Sequence, residues 1–261
     1  MGGDLVSYEL RPPAVVLTMN RPERRNALSR GLIEALTSAF ARARDDAAVR
    51  CVILTGAGPA FCAGMDLVEL QAKLGQPDEA DEVRADAIRL ARLYDLIYTL
   101  PKPSIAAVNG PAVAGGAGLV TVCDLALAVP SARLGYPEVR RGLVAAMVMP
   151  HLLRHVGERT ARWLLLSGEL LEATEAQRVG LINAVVPAAQ LFDTAHSWAA
   201  FLAEGGPQAL ATTKALLQRF SRQAMSLEET ALASAEPRLT EECQQGLRAF
   251  FEKRPAPWAQ R

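Results

Sequence analysis

Apolar residues follow two rhythms along the chain. Short, nearly continuous apolar runs bounded by Pro, Gly or Asn predict strands at 14–19, 50–55, 104–108 and 125–129. Between them, apolar positions recur at helical spacing. Leu32, Ile33, Leu36, Phe40 and Ala43 predict a helix that Ser29 can cap, and Ile88, Ala91, Tyr94 and Tyr98 predict another that ends before Pro101. Gly115 and Gly116 lead into a third, reaching about Cys123. Strands alternating with helices need a sheet covered by helices, so the fold class is α/β. The strand signal stops near residue 188. Pro207 suits a first helical position, and Ser226 and Glu229 have capping-box spacing, so the tail reads as helical. Residues 71–84 are polar, without a clear period, and read as a loop.

The composition narrows the class of protein. A chain of 261 residues, half of them hydrophobic and 21% charged, fits one large globular domain or one domain with a small appendage. A formal net charge of zero gives no basic field for nucleic acid or an anionic membrane. The most apolar stretch, 105–129, is broken by Asn109, Gly110, Pro111 and Asp124 and is no membrane span. Four cysteines, at 51, 62, 123 and 243, form no C-x-x-C pair, and Cys51 and Cys123 lie in apolar runs. Reduced, buried thiols and a cytoplasmic setting follow. Asp4 and Glu9 near the start, with no apolar signal region, agree with that setting.

Several motifs carry less than they suggest. The run Thr55-Gly-Ala-Gly-Pro-Ala60 follows a strand but lacks the third glycine of a dinucleotide fingerprint. His151 and His155 have the spacing of zinc ligands, yet Leu152 stands where a metalloprotease has glutamate, and a helix-surface pair is the better reading. Two glycine-containing turns remain. One is Phe61-Cys-Ala-Gly-Met-Asp66. The other runs from Asn109-Gly-Pro through Gly115-Gly-Ala-Gly118 to Cys123-Asp124. Each follows a strand, and they stand about fifty residues apart.

Together these turns resemble the enoyl-CoA hydratase/isomerase (crotonase) family, with its F-x-A-G-x-D and G-x-x-x-G-G-G segments. The likeness runs from Asn20-Arg-Pro-x-x-Arg-Asn-Ala-Leu28 to the tail Phe250 to Lys253. It implies a crotonase-type spiral of repeated β-β-α units over 1–195 and a helical C-terminal trimerisation region over 196–261. It also implies an oxyanion hole made by the Met65 and Gly115 amides. A thioester carbonyl gathers negative charge as it becomes enolate-like, and one lost donor of that kind costs about 3–4 kcal/mol. Glycine permits the close backbone approach, and a helix beginning at Gly115 adds its positive end.

The resemblance is selective about carboxylates. Typical hydratases of the family carry two glutamates. Glu138, in Leu134-Gly-Tyr-Pro-Glu-Val-Arg-Arg-Gly142, matches one; the other falls at Gly118, six residues before Asp124, and is absent. The local sequence is similar to a single-glutamate bacterial branch of methylglutaconyl-CoA hydratase-like proteins. A single glutamate with a raised pKa can still move a proton or activate water. Space freed at Gly118 would admit a branched or carboxylated acyl group, and Arg140 or Arg141 could meet its carboxylate. The implied activity is an enoyl-CoA hydratase. The alternatives are a Δ3,Δ2-enoyl-CoA isomerase and a catalytically silent acyl-CoA-binding scaffold. Arg24, Arg25, Ala63, Met65, Asp66, Gly115, Phe250 and Lys253 are the implied substrate and CoA contacts, with Lys253 reaching a neighbouring subunit. No metal or separate cofactor is implied, CoA arriving with the substrate, and a homotrimer or dimer of trimers is expected.

Overall fold

The computed structural model describes residues 4–72, 79–222, 241, 245, 249 and 252–257. The chain opens with β1 (Val6–Arg11), β2 (Ala14–Met19), α1 (Arg30–Asp45), β3 (Cys51–Gly56), α2 (Leu67–Gln71) and α3 (Glu79–Tyr98). It continues through β4 (Ser104–Val108), β5 (Ala112–Val113), α4 (Gly115–Val122), β6 (Leu125–Ala128) and β7 (Arg133–Gly135). After a short 3-10 turn at Pro137–Arg141 come α5 (Met149–Ser167), β8 (Leu170–Glu172), α6 (Ala173–Arg178), β9 (Ala184–Val185), α7 (Leu191–Ala203) and α8 (Pro207–Arg222).

The main sheet has the order β1-β2-β3-β4-β6-β9, antiparallel at β1-β2 and parallel elsewhere. A smaller sheet runs β5-β7-β8. Parallel neighbours need helical crossovers, and their inner strands are buried on both faces: every residue of β3 and β4 is buried. That is why these strands read as unbroken apolar runs. Because β3 and β4 are adjacent and parallel, the chain leaves both at the same edge of the sheet. The two glycine turns follow these two strands. Strand pairing alone therefore brings residues 57–66 and 109–114 side by side.

The first helix forms where its pattern predicts. Ser29 Oγ accepts from the Leu32 amide at 3.2 Å, and Leu32, Ile33, Leu36, Ala39, Phe40 and Ala43 bury one face against the core. Leu36, fully buried, would cost about 2–5 kcal/mol if truncated to Ala.

One expectation changes. Residues 79–84 are helical and open α3, so the loop over 71–84 is too long. Their apolar rhythm is hidden because Arg30 draws Glu82 and Asp86 into ion pairs on this face. Helix α7 runs across 195/196, with Ala195 and Ala199 both fully buried in the main core. That helix belongs to the sheet layer. The run 6–11 forms β1, an edge strand whose mostly exposed pattern gives a weak apolar signal. Cys51, Cys62 and Cys123 are buried free thiols, and burial pushes Cys62 and Cys123 up to about 12. Phe250, Cys243 and the Ser226/Glu229 capping box lie outside the described residues.

Candidate active site

Residues 20–28 brace the first glycine turn from behind. Asn26 is fully buried; its Nδ2 is shared among the carbonyls of Ala57, Ala60 and Phe61 at 2.9, 2.9 and 3.2 Å, while its Oδ1 accepts from the Arg21 amide. Gly56 has no space for a side chain, since a Cβ there would lie 2.4 Å from the Phe61 carbonyl. The Ala63 amide donates to the Arg25 carbonyl, the Leu28 amide to Gly64, and the Asp66 amide back to Leu28. Arg21 donates to the Ala27 carbonyl and pairs with Asp66 at 3.1 Å. The other Asp66 oxygen accepts from the Val68 amide. The Asp66 carboxylate is therefore committed to the loop rather than open to a ligand.

The second turn is fastened to the first. The Cys62 amide donates to Pro111 and the Val113 amide to Cys62, forming a parallel bridge between Cys62 and Ala112. Gly116 lies so close that a Cβ would sit 2.2 Å from the Cys62 carbonyl, and a Cβ on Gly64 would sit 3.2 Å from the Gly115 nitrogen. Ala114 is held at φ +53°, ψ −125°, its amide donating to Gly135. Such a conformation costs a non-glycine residue about 1–3 kcal/mol and persists because the surroundings fix it. Beyond these contacts the Met65 and Gly115 amides donate to no acceptor among the described residues. Gly115 opens α4, so the positive end of that helix adds to its donor.

Both residues line a cavity of about 330 Å³. Its walls are mainly apolar, with Leu90, Val113, Leu143, Val144, Met147 and Val148, and Glu138 reaches into it with Arg141, Asp86 and Tyr94. A larger hollow of about 1060 Å³ between the β1–β2 turn and α7, lined by Arg11, Pro13, Phe192 and His196, contains none of these groups. The smaller cavity is the candidate site because it gathers these groups.

Glu138 stands on the 3-10 turn that Pro137 opens and Gly142, at φ +69°, closes. Its Oε2 is buried without a hydrogen-bond partner. Burial pushes the carboxyl above its ordinary value; a backbone hydrogen bond and the Arg141 charge oppose that shift without cancelling it. Arg140 turns away, its Nε donating to the Ser167 carbonyl while its side chain packs over Gly168. Of the two arginines, Arg141 alone lines the cavity.

Position 118 is not vacant. A Cβ on Gly118 would lie 2.3 Å from the Tyr94 hydroxyl oxygen and 2.8 Å from Val148, so the space expected for a larger acyl group is filled. Tyr94 is a helix residue that sequence periodicity assigns only to the core; it is 2% exposed, and its hydroxyl donates to the Gly115 carbonyl at 2.7 Å. Arg24 and Arg25 are exposed beside the first turn, and Lys253 is exposed with φ +52°. His151 packs edge-on to Tyr98, and His155 meets the Thr121 carbonyl. Among the described residues no cluster of His, Cys, Asp or Glu is arranged to hold a metal, and no helix is long and apolar enough to cross a membrane.

Two fastened turns, with the Met65 and Gly115 amides free of protein acceptors, and one carboxyl with a buried oxygen meet at an apolar cavity of a crotonase fold. The sequence model of the enoyl-CoA hydratase/isomerase family matches residues 13–261, and the chain belongs to that family. It is 46% identical to a Thermus thermophilus protein provisionally named an enoyl-CoA hydratase, over 96% of this chain and 99% of that one. It is 34% identical to a mevalonyl-coenzyme A hydratase of Aspergillus fumigatus, covering 98% and 94%. The crystal structure of an enoyl-CoA hydratase from Bacillus anthracis superposes with a TM-score of 0.89 at 32% identity, covering 98% of this chain and all of that one.

Proposed function

We propose that the protein is an enoyl-CoA hydratase in which the Met65 and Gly115 amides receive the thioester oxygen and Glu138 activates water. The observation that carries this reading is the unpartnered, buried Glu138 Oε2 in the same cavity as two unused amides. A raised pKa suits a carboxyl that must both take and return a proton. Glu138 removes a proton from water as oxygen bonds to the β-carbon. The π electrons move toward the carbonyl oxygen, where the amides stabilise the charge. Glu138 then returns the proton to the α-carbon. This chemistry calls for no metal or redox group, CoA arriving with the substrate.

Arg141 at the cavity favours a branched acyl group that bears a carboxylate, such as a glutaconyl type; Asp86, also on the cavity wall, is itself paired with Arg30 and Arg89. Arg24 and Arg25 supply the positive surface for CoA phosphates and the Ala63 backbone a contact for the base, with Phe250 and Lys253 acting from a neighbouring subunit of a cytoplasmic homotrimer or paired trimer. Exposed Trp163, Leu166, Phe201 and Leu217 on α5, α7 and α8 provide apolar surface for such assembly.

The test is a panel of straight, branched and carboxylated enoyl-CoA thioesters, followed for hydration and for double-bond migration. Hydration of at least one, lost in Glu138→Gln, is the expected result. Migration without hydration would establish the isomerase, for which a single carboxyl shuttling between α- and γ-carbons suffices. Absence of α-proton exchange into deuterated water would establish the scaffold.

A further inference from the structure

We propose that the Tyr94 hydroxyl holds the attacking water in the place of a second carboxylate. The proposal rests on the hydratase reading, and its core is a coincidence of position. The hydroxyl oxygen comes within 2.3 Å of where a Cβ on Gly118 would begin, so this phenol from α3 occupies the start of the path that a side chain at 118 would follow. Tyr94 also lines the same cavity as Glu138, although its residue surface is almost wholly covered.

The bonding of the hydroxyl fits that task. Its only proton is donated to the Gly115 carbonyl at 2.7 Å. The oxygen keeps lone pairs, and no donor to them is present among the described residues. A water between Tyr94 and Glu138 would then give one hydrogen to the phenol oxygen and the other to the carboxylate. When its oxygen bonds to the β-carbon, the proton lost goes to Glu138 and later to the α-carbon. The second hydrogen stays on the product hydroxyl. No proton leaves or joins Tyr94, so the addition balances as H and OH across the double bond.

A buried tyrosine capping a carbonyl also serves packing, and that role alone would leave the hydroxyl dispensable for chemistry. Two features argue for more. Burial holds the phenol well above its ordinary pKa, with Cys62, Tyr136 and Glu138 adding to the same effect, so it stays neutral while Glu138 titrates. The group it caps is Gly115 itself, which ties the water-holding atom to the residue whose amide faces the thioester. One hydroxyl thus fixes the distance between the water and the oxyanion donor.

Tyr94→Phe keeps the ring and removes the oxygen. Hydration kcat should fall about 10- to 100-fold, the worth of one hydrogen bond to a group that gains charge, with KM within about threefold. Exchange of the α-proton of a saturated acyl-CoA into deuterated water, which needs the amides and Glu138 but no attacking water, should change by less than about threefold. Gly118→Ala, which must displace the hydroxyl while keeping Tyr94, should reproduce that split. Unchanged hydration in either folded variant overturns the proposal. So does an equal loss of hydration and exchange, because Tyr94 would then act only through the helix start. A wild type that migrates double bonds without hydrating would instead overturn the hydratase reading, and a water-holding role with it.

Discussion

Met65 and Gly115 are aimed by backbone, whereas Glu138 is aimed by a turn that solvent reaches. The amide wall lies behind a fully buried Asn26, a buried Arg21–Asp66 pair and a parallel bridge between two strand ends. The carboxyl wall is a single 3-10 turn, flanked by Val139, Leu143 and Val144, the last 73% exposed. The donors must not move as charge develops, since their value lies in preorganisation. An acid–base group, as proposed for Glu138, must meet the acyl chain, and its turn is held by buried Tyr136 and Pro137 and by the Arg140–Ser167 hydrogen bond rather than by strand pairing, so it can be altered without disturbing the main sheet. On the proposed mechanism, one wall sets the reaction class and the other the substrate.

The sharpest attack on the carboxyl wall is Glu138→Gln, which should lower kcat about 10²- to 10⁴-fold and leave the fold intact. Thermal unfolding beside steady-state kinetics checks both halves. Its stability has a defined sign. The folded state binds the Glu138 proton more tightly than the unfolded chain does, so that contribution is full below the ordinary value of 4.5 and is lost as pH rises through the folded value. The glutamine variant escapes the loss, so its Tm relative to wild type should rise as pH climbs from 4.5 through the folded value and level off above it. The amide wall should break differently. Gly116→Ala drives a Cβ toward the Cys62 carbonyl, 2.2 Å away, so activity and stability should fall together: about 10²- to 10³-fold in kcat if one donor is displaced, and about 1–3 kcal/mol in stability.

Gly118→Glu tests the seam between the walls. With Tyr94 filling the position, the glutamate has no place, and hydration should fall about tenfold or more for every substrate rather than shift toward crotonyl-CoA. Parallel kcat/KM measurements on crotonyl-CoA and a carboxylated enoyl-CoA decide it. The smallest effect concerns pH alone. The acid limb of kcat/KM should lie above 4.5, because Glu138 must be ionised to activate water. Arg141 favours that ionised form, so Arg141→Ala should move the limb to still higher pH; an unmoved limb would detach Arg141 from the carboxyl.

The amide wall was the more legible of the two in the sequence. Gly64 and Gly116 stand where backbones approach closely, and close approach leaves its mark in residue type. Strands β2 and β4 fall at the predicted residues because burial on both faces removes polar interruptions. Strand β1 escaped because an exposed edge carries little apolar signal, and β5, β7 and β8 are too short, at two or three residues, to show any period. The role of Arg21 and Asn26 was hidden for another reason. A motif of charged and amide residues near a substrate loop suggests ligand contact, whereas these side chains are consumed by carbonyls and a carboxylate inside the protein. Tyr94 was legible only as a core position, because helical spacing assigns a face and says nothing of which distant glycine that face meets.

The bridge between Cys62 and Ala112 also has a kinetic consequence. It joins segments about fifty residues apart, with α3 and β4 between them, so it closes only after non-local strand pairing, the slow kind of step in folding. A chain that has formed its helices but not this bridge should have secondary structure and no thioester affinity. During refolding, the return of acyl-CoA binding should therefore trail the far-ultraviolet dichroism and coincide with burial of the Cys62 thiol, which a thiol reagent can time.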